Sequence, residues 1–318
     1  MVSKRTLRRA IAYTACVTLL SCGVVEGALR WYGLGDPPLY VLDKDIEYYA
    51  KHGSYRRYGN YVHINSFGMR SAEVRQKTDQ VRILLLGDSI VFGTYRVNQD
   101  ELISSFLEPE LSRLLKRDVE VLNVASSSWG PLNQEAYLER FGIFQSDCVV
   151  WILSSHDAYD VPIPGFADLL PQEPVFTALG EAFDKLREKR FVAPAPSGDP
   201  LERSLVAVRH VISLFSRARV PVLAAQHWST EELVRGMDKE GLVLRDLLEK
   251  SSVPVMSLKP AVQEAQRTAS PYQDTLHVSP AGARAIGHAI ARELQRSRAT
   301  LLEPTGARAT RAKGVRAD

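Results

Sequence analysis

The stretch Val81-Arg82-Ile83-Leu84-Leu85-Leu86-Gly87-Asp88-Ser89-Ile90-Val91-Phe92-Gly93 decides the fold. Its aliphatic run, interrupted only by Arg82, ends abruptly in Gly-Asp-Ser. Such a run lacks the alternation of a half-exposed strand and fits a strand covered on both faces, as in a parallel sheet between helical layers. Ser89 then follows the carboxyl end of that strand. Ligands bind at that edge of open α/β sheets, so a serine there is placed to be a nucleophile. Glycine, aspartate and serine are also ordinary turn formers, and this stretch alone is read first as turn chemistry.

Working outward, residues 100–117 carry Leu102, Phe106, Leu111, Leu114 and Leu115 at helical spacing, with Asn98 or Asp100 available as a cap. A second strand is predicted at 119–125, a loop at 126–131, and a helix from Pro131 to about 144. The third strand, 148–153, runs into Ser154-Ser155-His156-Asp157. Helices at 201–219 and 230–250 separate further strands at 220–225 and 253–258, whose Val-Pro steps suit strand starts. A last helix, capped by Ser279 and opened by Pro280, reaches about 294. This alternation predicts a three-layer α/β/α domain over 81–296 with a five-stranded parallel sheet. There is no internal repeat. One connection, 158–200, holds seven prolines and only a short helical stretch at 177–189, which makes it a candidate lid, interaction surface or spacer.

The two ends differ from the body. Lys4, Arg5, Arg8 and Arg9 precede sixteen uncharged residues, 10–25, followed by Glu26, Arg30 and the pair Trp31-Tyr32. A full span takes about twenty residues, but Arg9 and Glu26 can snorkel and the aromatics suit an outer interface. Residues 1–33 are therefore read as a signal anchor, amino end inside and body outside, with Glu26 and Arg30 paired one turn apart. A cleaved signal peptide and lipid attachment at Cys22, after Leu19-Leu20-Ser21, are the rival readings. Residues 34–80 form an extension rich in tyrosine (Tyr40, Tyr48, Tyr49, Tyr55, Tyr58, Tyr61), with a short strand at 61–65 and a turn at Gly68. These aromatics are read as packing the extension onto the domain rather than as a sugar platform. Residues 297–318 have no apolar period and are expected to be a disordered basic tail. The net charge of +3 comes from the two ends, and the body between them is at −4. That balance does not describe a nucleic-acid surface. Cys148 is the one cysteine outside the apolar leader, so the body has no disulfide framework.

Chemistry enters with Asp274-Thr275-Leu276-His277 near the carboxyl end. His277 sits in the loop before the capped final helix, and an aspartate three residues earlier can fold back to its ring. A serine hydroxyl needs a neutral histidine to take its proton, and a carboxylate on the other ring nitrogen fixes the tautomer. Together with the strand-terminal serine, this is a strong signal.

From Asn65 to Leu294 the chain resembles the SGNH or GDSL hydrolase family, on the strength of Gly87-Asp88-Ser89 and of Asp274-Thr275-Leu276-His277 in that order. The resemblance implies a flavodoxin-like α/β/α fold, Ser89 as nucleophile, His277 as base and acid, and Asp274 as its orienter. The leader Asn65-Ser66-Phe67-Gly68-Met69-Arg70 resembles that of membrane-anchored bacterial members linked to O-acyl groups of cell-surface polysaccharide. Two family blocks differ here. The second-block glycine corresponds to Ser128, and the third block, Gly-x-Asn-Asp in the family, is Ser154-Ser155-His156-Asp157. The amides of Ser89 and Ser128, with a His156 ring N–H, are the implied oxyanion donors.

The resulting expectation is a periplasm-facing serine esterase acting on O-acyl esters of glycan, O-acetyl above all, with no cofactor and no nucleic-acid partner. An O-acyltransferase and a non-catalytic glycan-binding protein are the alternatives. His156, Asp157, Asp160 and His227 all lie at or beyond strand ends but lack recognised metal-ligand spacing, and are read as having separate roles. Trp129 and Trp228 are read as either flanking a sugar or capping the core.

Overall fold

The computed structural model describes residues 4–187, 194 and 198–302. It opens with α1 (Lys4–Tyr32) and two antiparallel hairpins, β1 (Tyr40–Asp43) with β2 (Glu47–Ala50) and β3 (Gly53–Arg57) with β4 (Asn60–Ile64). Next come β5 (Val81–Gly87), α2 (Ser89–Phe92), α3 (Ile103–Leu115), β6 (Val119–Ala125), α4 (Pro131–Phe141) and β7 (Cys148–Leu153). The insertion holds α5 (Ala178–Arg187). It is followed by α6 (Pro200–Ala218), β8 (Val222–Gln226), α7 (Thr230–Arg235), α8 (Lys239–Lys250), β9 (Val255–Ser257), α9 (Lys259–Gln266), α10 (Pro280–Arg296) and α11 (Arg298–Leu301).

The expected five-stranded parallel sheet is present, in the order β6-β5-β7-β8-β9. All seven residues of β5 are buried, as its apolar run requires, and Arg82 within it is paired with Glu120 at 2.7 Å. It pairs with β6 at Leu84–Leu122 and with β7 at Leu85–Val150. The chain steps from β5 outward to β6, then back past β5 to β7. Right-handed crossovers therefore put α3 and α4 on opposite faces, where α10 packs on α3 and α6 on α4. The strand order reverses beside β5, so the carboxyl ends of β5 and β7 open the crevice where such sheets bind ligands.

Several elements depart from expectation for identifiable reasons. The strands expected at 220–225 and 253–258 start two residues later, because Pro221 and Pro254 join the ladder only through their carbonyls, to the amides of Val149 and Ala224. The single helix expected at 230–250 is two, broken at Gly236, whose φ of 96° is left-handed. The tail expected to be disordered begins with α11, because Leu301 buries in the core at 5% exposure. Residues 303–318 of that tail lie outside the described residues. Within residues 158–200, weighed as a lid, the helix α5 packs on α1.

That packing ties the amino end to the body. α1 stops at Gly33, where φ is 96° and the Leu34 amide reaches back to the Leu29 carbonyl at 2.9 Å. A side chain at Gly33 would meet the Arg56 carbonyl at 2.3 Å, so the close approach also requires glycine. Arg57 donates to the Gly33 carbonyl at 3.0 Å and pairs with Glu181 of α5, which also accepts the Gly35 amide at 2.7 Å. The Arg57 and Glu181 side chains are 6% and 9% exposed. Removing one partner of such a buried pair strands the other charge, at a cost of about 3–5 kcal/mol. Glu181→Ala is therefore expected to lower the urea midpoint of unfolding with little change in slope, and Arg57→Met with Glu181→Leu to regain part of the loss. An unchanged midpoint in Glu181→Ala would show that the pair contributes nothing.

Candidate active site

Ser89 begins α2 directly beyond the carboxyl end of β5. Asp88 caps that turn, its Oδ1 accepting the Ile90 amide at 2.8 Å. A Cβ at Gly87 would lie 2.5 Å from Val91 Cγ2, so the strand can bend into the helix only with glycine there. Two buried side chains hold the turn from behind. Asn123 of β6 donates to the Val91 carbonyl at 2.8 Å. Arg70, the last residue of the leader motif, is fully buried and gives its guanidinium to the carbonyls of Gly93 at 2.6 Å, Val97 at 2.6 Å, and Phe92 and Thr94 at 3.2 Å. One planar fork thus fixes the loop that follows the serine.

His277 comes from the loop before α10, whose Ser279 and Pro280 cap and start the helix as expected. Asp274 Oδ1 accepts the amides of Leu276 and His277 at 2.8 Å each, and its Oδ2 accepts His277 Nδ1 at 2.8 Å. The remaining ring nitrogen, Nε2, lies 2.9 Å from Ser89 Oγ. The three residues singled out from the sequence therefore meet in one chain of hydrogen bonds. Burial raises the Asp274 carboxyl, but the two amides and the imidazole outweigh it and hold the group below the usual carboxylate range.

His227, at the end of β8, supports this loop from beneath. Its Nε2 donates to the Leu276 carbonyl at 3.0 Å, while Nδ1 is buried with no partner among the described residues. Burial lowers this imidazole to about 4, which keeps it neutral in that tautomer. Sequence reasoning missed the role. The only signal was a histidine directly after a strand.

The loop after β6 carries Ser128 at φ 58°, left-handed backbone that glycine adopts at less cost. The amino-terminal extension clamps this loop: Tyr48 Oη donates to the Ser127 carbonyl at 2.5 Å, and Trp129 Nε1 to the Tyr48 carbonyl at 2.9 Å. Trp129 is 1% exposed and belongs to the core, whereas Trp228 lies under the Lys259 ammonium, 4.4 Å from its ring centre. At Gly130 a Cβ would meet the Asp160 carbonyl at 1.9 Å, so the first residues of the insertion lie directly on the loop.

His156 stands otherwise than expected. Its Nε2 donates to Asp88 Oδ2 at 2.7 Å, with Asp160 3.4 Å away, and its Nδ1 to Ser154 Oγ at 2.7 Å. Both ring nitrogens are thereby engaged, so the oxyanion role that the asparagine position of the third block implies for His156 would have to displace one of these contacts. Burial opposes the ring's charge, but the bond to Asp88 and the carboxyls of Asp157 and Asp160 overcome it and raise the imidazolium to about 10. Asp88 is correspondingly lowered, its desolvation outweighed by His156. Asp160 is raised to about 6 by burial, with the Asp88 charge acting in the same direction. Asp88, His156 and Asp157 bring possible metal-ligand atoms within 4.8 Å, but the first two spend theirs on each other and an imidazolium is not a ligand.

No family model matches the chain, and no curated protein does. Among solved structures, it is similar to an acetylxylan esterase from Geobacillus stearothermophilus, at 16% identity over 67% of this chain and 94% of that chain, with a TM-score of 0.44. It is also similar to a lipase/acylhydrolase from Enterococcus faecalis, at 17% identity over 68% and 96% of the two chains, with a TM-score of 0.43. The chemistry of the site rests on its own geometry.

The His156 pair sets a pH dependence. An unfolded histidine titrates near about 6.5. Between there and about 10 the folded protein holds a proton that the unfolded chain has released. The pair's stabilisation is thus complete below the window and falls as pH rises through it. His156→Gln keeps a donor toward Asp88 without titrating. It is expected to flatten the decline in urea midpoint between about pH 7 and about pH 9.5. An equally steep decline in the variant would assign the slope to other groups.

Proposed function

We propose that the protein is a serine esterase of the SGNH type that removes acetyl or another short acyl group from extracytoplasmic glycan, held at the membrane by α1. The observation that carries the reading is the Ser89–His277–Asp274 chain, with contacts of 2.9 Å and 2.8 Å. His277 Nε2 takes the Ser89 proton as Oγ attacks the acyl carbonyl, while Asp274 holds Nδ1–H and steadies the imidazolium. The amides of Ser89 and Ser128 receive the oxyanion. Collapse of the intermediate breaks the ester bond, and His277 returns its proton to the departing alcohol. Water then attacks the acyl-enzyme with His277 again as base, releasing the acid and restoring Ser89.

Exposure supports a bulky alcohol. The Asp274 and His277 side chains are 53% and 27% exposed, so a polymer can reach the serine from solvent. In α1, the bases Lys4, Arg5, Arg8 and Arg9 precede the apolar stretch, which supports an amino end in the cytoplasm and the body outside. α1 is long and apolar enough to cross a membrane, and none of its apolar stretch is buried against the protein.

Turnover of a chromogenic aryl acetate and labelling by a fluorophosphonate test the assignment. Ser89→Ala is expected to lose about 10⁴- to 10⁶-fold in kcat and all labelling, and Asp274→Asn about 10³- to 10⁴-fold in kcat. Wild-type turnover in Ser89→Ala, or a label mapped to another residue, would overturn the nucleophile.

A further inference from the structure

We propose that α5 is a membrane-interface helix whose apolar face rests on the outer leaflet of the bilayer that α1 crosses. The proposal rests on reading α1 as a retained anchor. Three observations carry it.

The first is where α5 is seated. Glu26 of α1 caps its first turn, Oε1 accepting the Ala178 amide and Oε2 the Leu179 amide at 2.9 Å each. Arg30 holds Glu26 at 2.7 Å and donates to the Phe176 carbonyl at 2.9 Å. Glu26 directly follows the uncharged stretch 10–25, which at 1.5 Å per residue is about 24 Å long, close to a hydrocarbon core of about 30 Å. The start of α5 therefore lies at the depth where α1 leaves the apolar layer.

The second is what α5 presents. Leu179, Phe183 and Leu186 recur at helical spacing, with Phe176 one turn ahead, and are 36%, 61%, 85% and 96% exposed respectively. On the opposite side Ala178 and Glu181 are buried against the protein, Glu181 in its pair with Arg57. Asp184 is exposed outside the apolar stripe, and Lys185 lies 4.0 Å from Glu181 on the protein side. A short helix with its polar side spent on the protein and its large apolar side chains turned outward has the pattern of an interfacial helix.

The third is continuity. The end of α1 exposes Trp31 at 69% and Tyr32 at 46%, residue types that settle at headgroup level. Trp31 lies under the Arg56 guanidinium, 5.2 Å from its ring centre. α5 extends that aromatic level sideways. A lipid surface is the occupant that the anchor itself brings to this face.

The test uses the full chain, with Cys16→Ser and Cys22→Ser, in phosphatidylethanolamine/phosphatidylglycerol vesicles. Cys148 is fully buried and takes no label. A nitroxide is placed in turn at Leu186→Cys, Asp184→Cys and Val17→Cys, and its collision rates with oxygen and with a water-soluble nickel chelate are compared. The expected result is an oxygen-to-nickel ratio several-fold higher at 186 than at 184, with 17 higher still. Equal ratios at 186 and 184, with 17 lipid-embedded, would overturn the interfacial helix and leave the anchor standing. A label at 186 shielded from both reagents would assign the face to a protein partner or a second copy, which also overturns it. A label at 17 open to the nickel chelate would instead defeat the anchor reading.

Discussion

The 2.9 Å contact between Ser89 Oγ and His277 Nε2 joins residues 188 positions apart, and the rest of the structure is arranged to permit it. No local interaction brings these groups together. A parallel sheet does, because it returns every strand in the same direction and collects the strand ends at one edge. The order β6-β5-β7-β8-β9 puts the serine just past the end of β5, with the 126–130 loop on one side and the ends of β7 and β8 on the other. Each adjoining group is then fixed by something buried: the serine turn by Arg70 and Asn123, the histidine loop by His227, the 126–130 loop by Tyr48.

The three histidines at this edge have different surroundings, and for two of them those surroundings set the charge. His227 has a carbonyl on one nitrogen and only buried space at the other, and stays neutral. His156 gives both nitrogens to oxygens and sits among Asp88, Asp157 and Asp160, and stays charged. His277 has one carboxylate and one hydroxyl as neighbours and remains part-exposed. Burial and partner, rather than residue type, divide the work. His156, held charged at neutral pH behind Asp88, also keeps a carboxylate in place at the cap of the serine's own helix.

Much of this was legible in the sequence, for a physical reason that also marks the limit. β6 and β7 lie at the residues expected, because buried parallel strands read as apolar runs bounded by turn residues. Ser89, Asp274 and His277 were legible because Asp-x-x-His before a Ser-Pro helix start has a local geometry that the chain sets by itself. The contacts of His156 were not legible because its partner Asp88 is 68 residues away in sequence, and a long-range partner leaves no local signature. Arg70 was noticed only as part of a motif. That its fork takes four carbonyls became visible with the loop wrapped round it. The insertion was read from its prolines and its position after β7, neither of which reports that Glu26 supplies its cap.

The wide separation of serine and imidazole has a consequence in time. Ribosomes deliver a polypeptide amino end first, and domains begin to organise as they emerge. The strand bearing Ser89 is available 188 residues before the ring that would draw off its proton, and that ring is held in a loop braced against β8 and α10. A nascent molecule therefore carries an unarmed hydroxyl through most of its synthesis. Any reactivity the finished fold has is switched on only when the loop before α10 arrives.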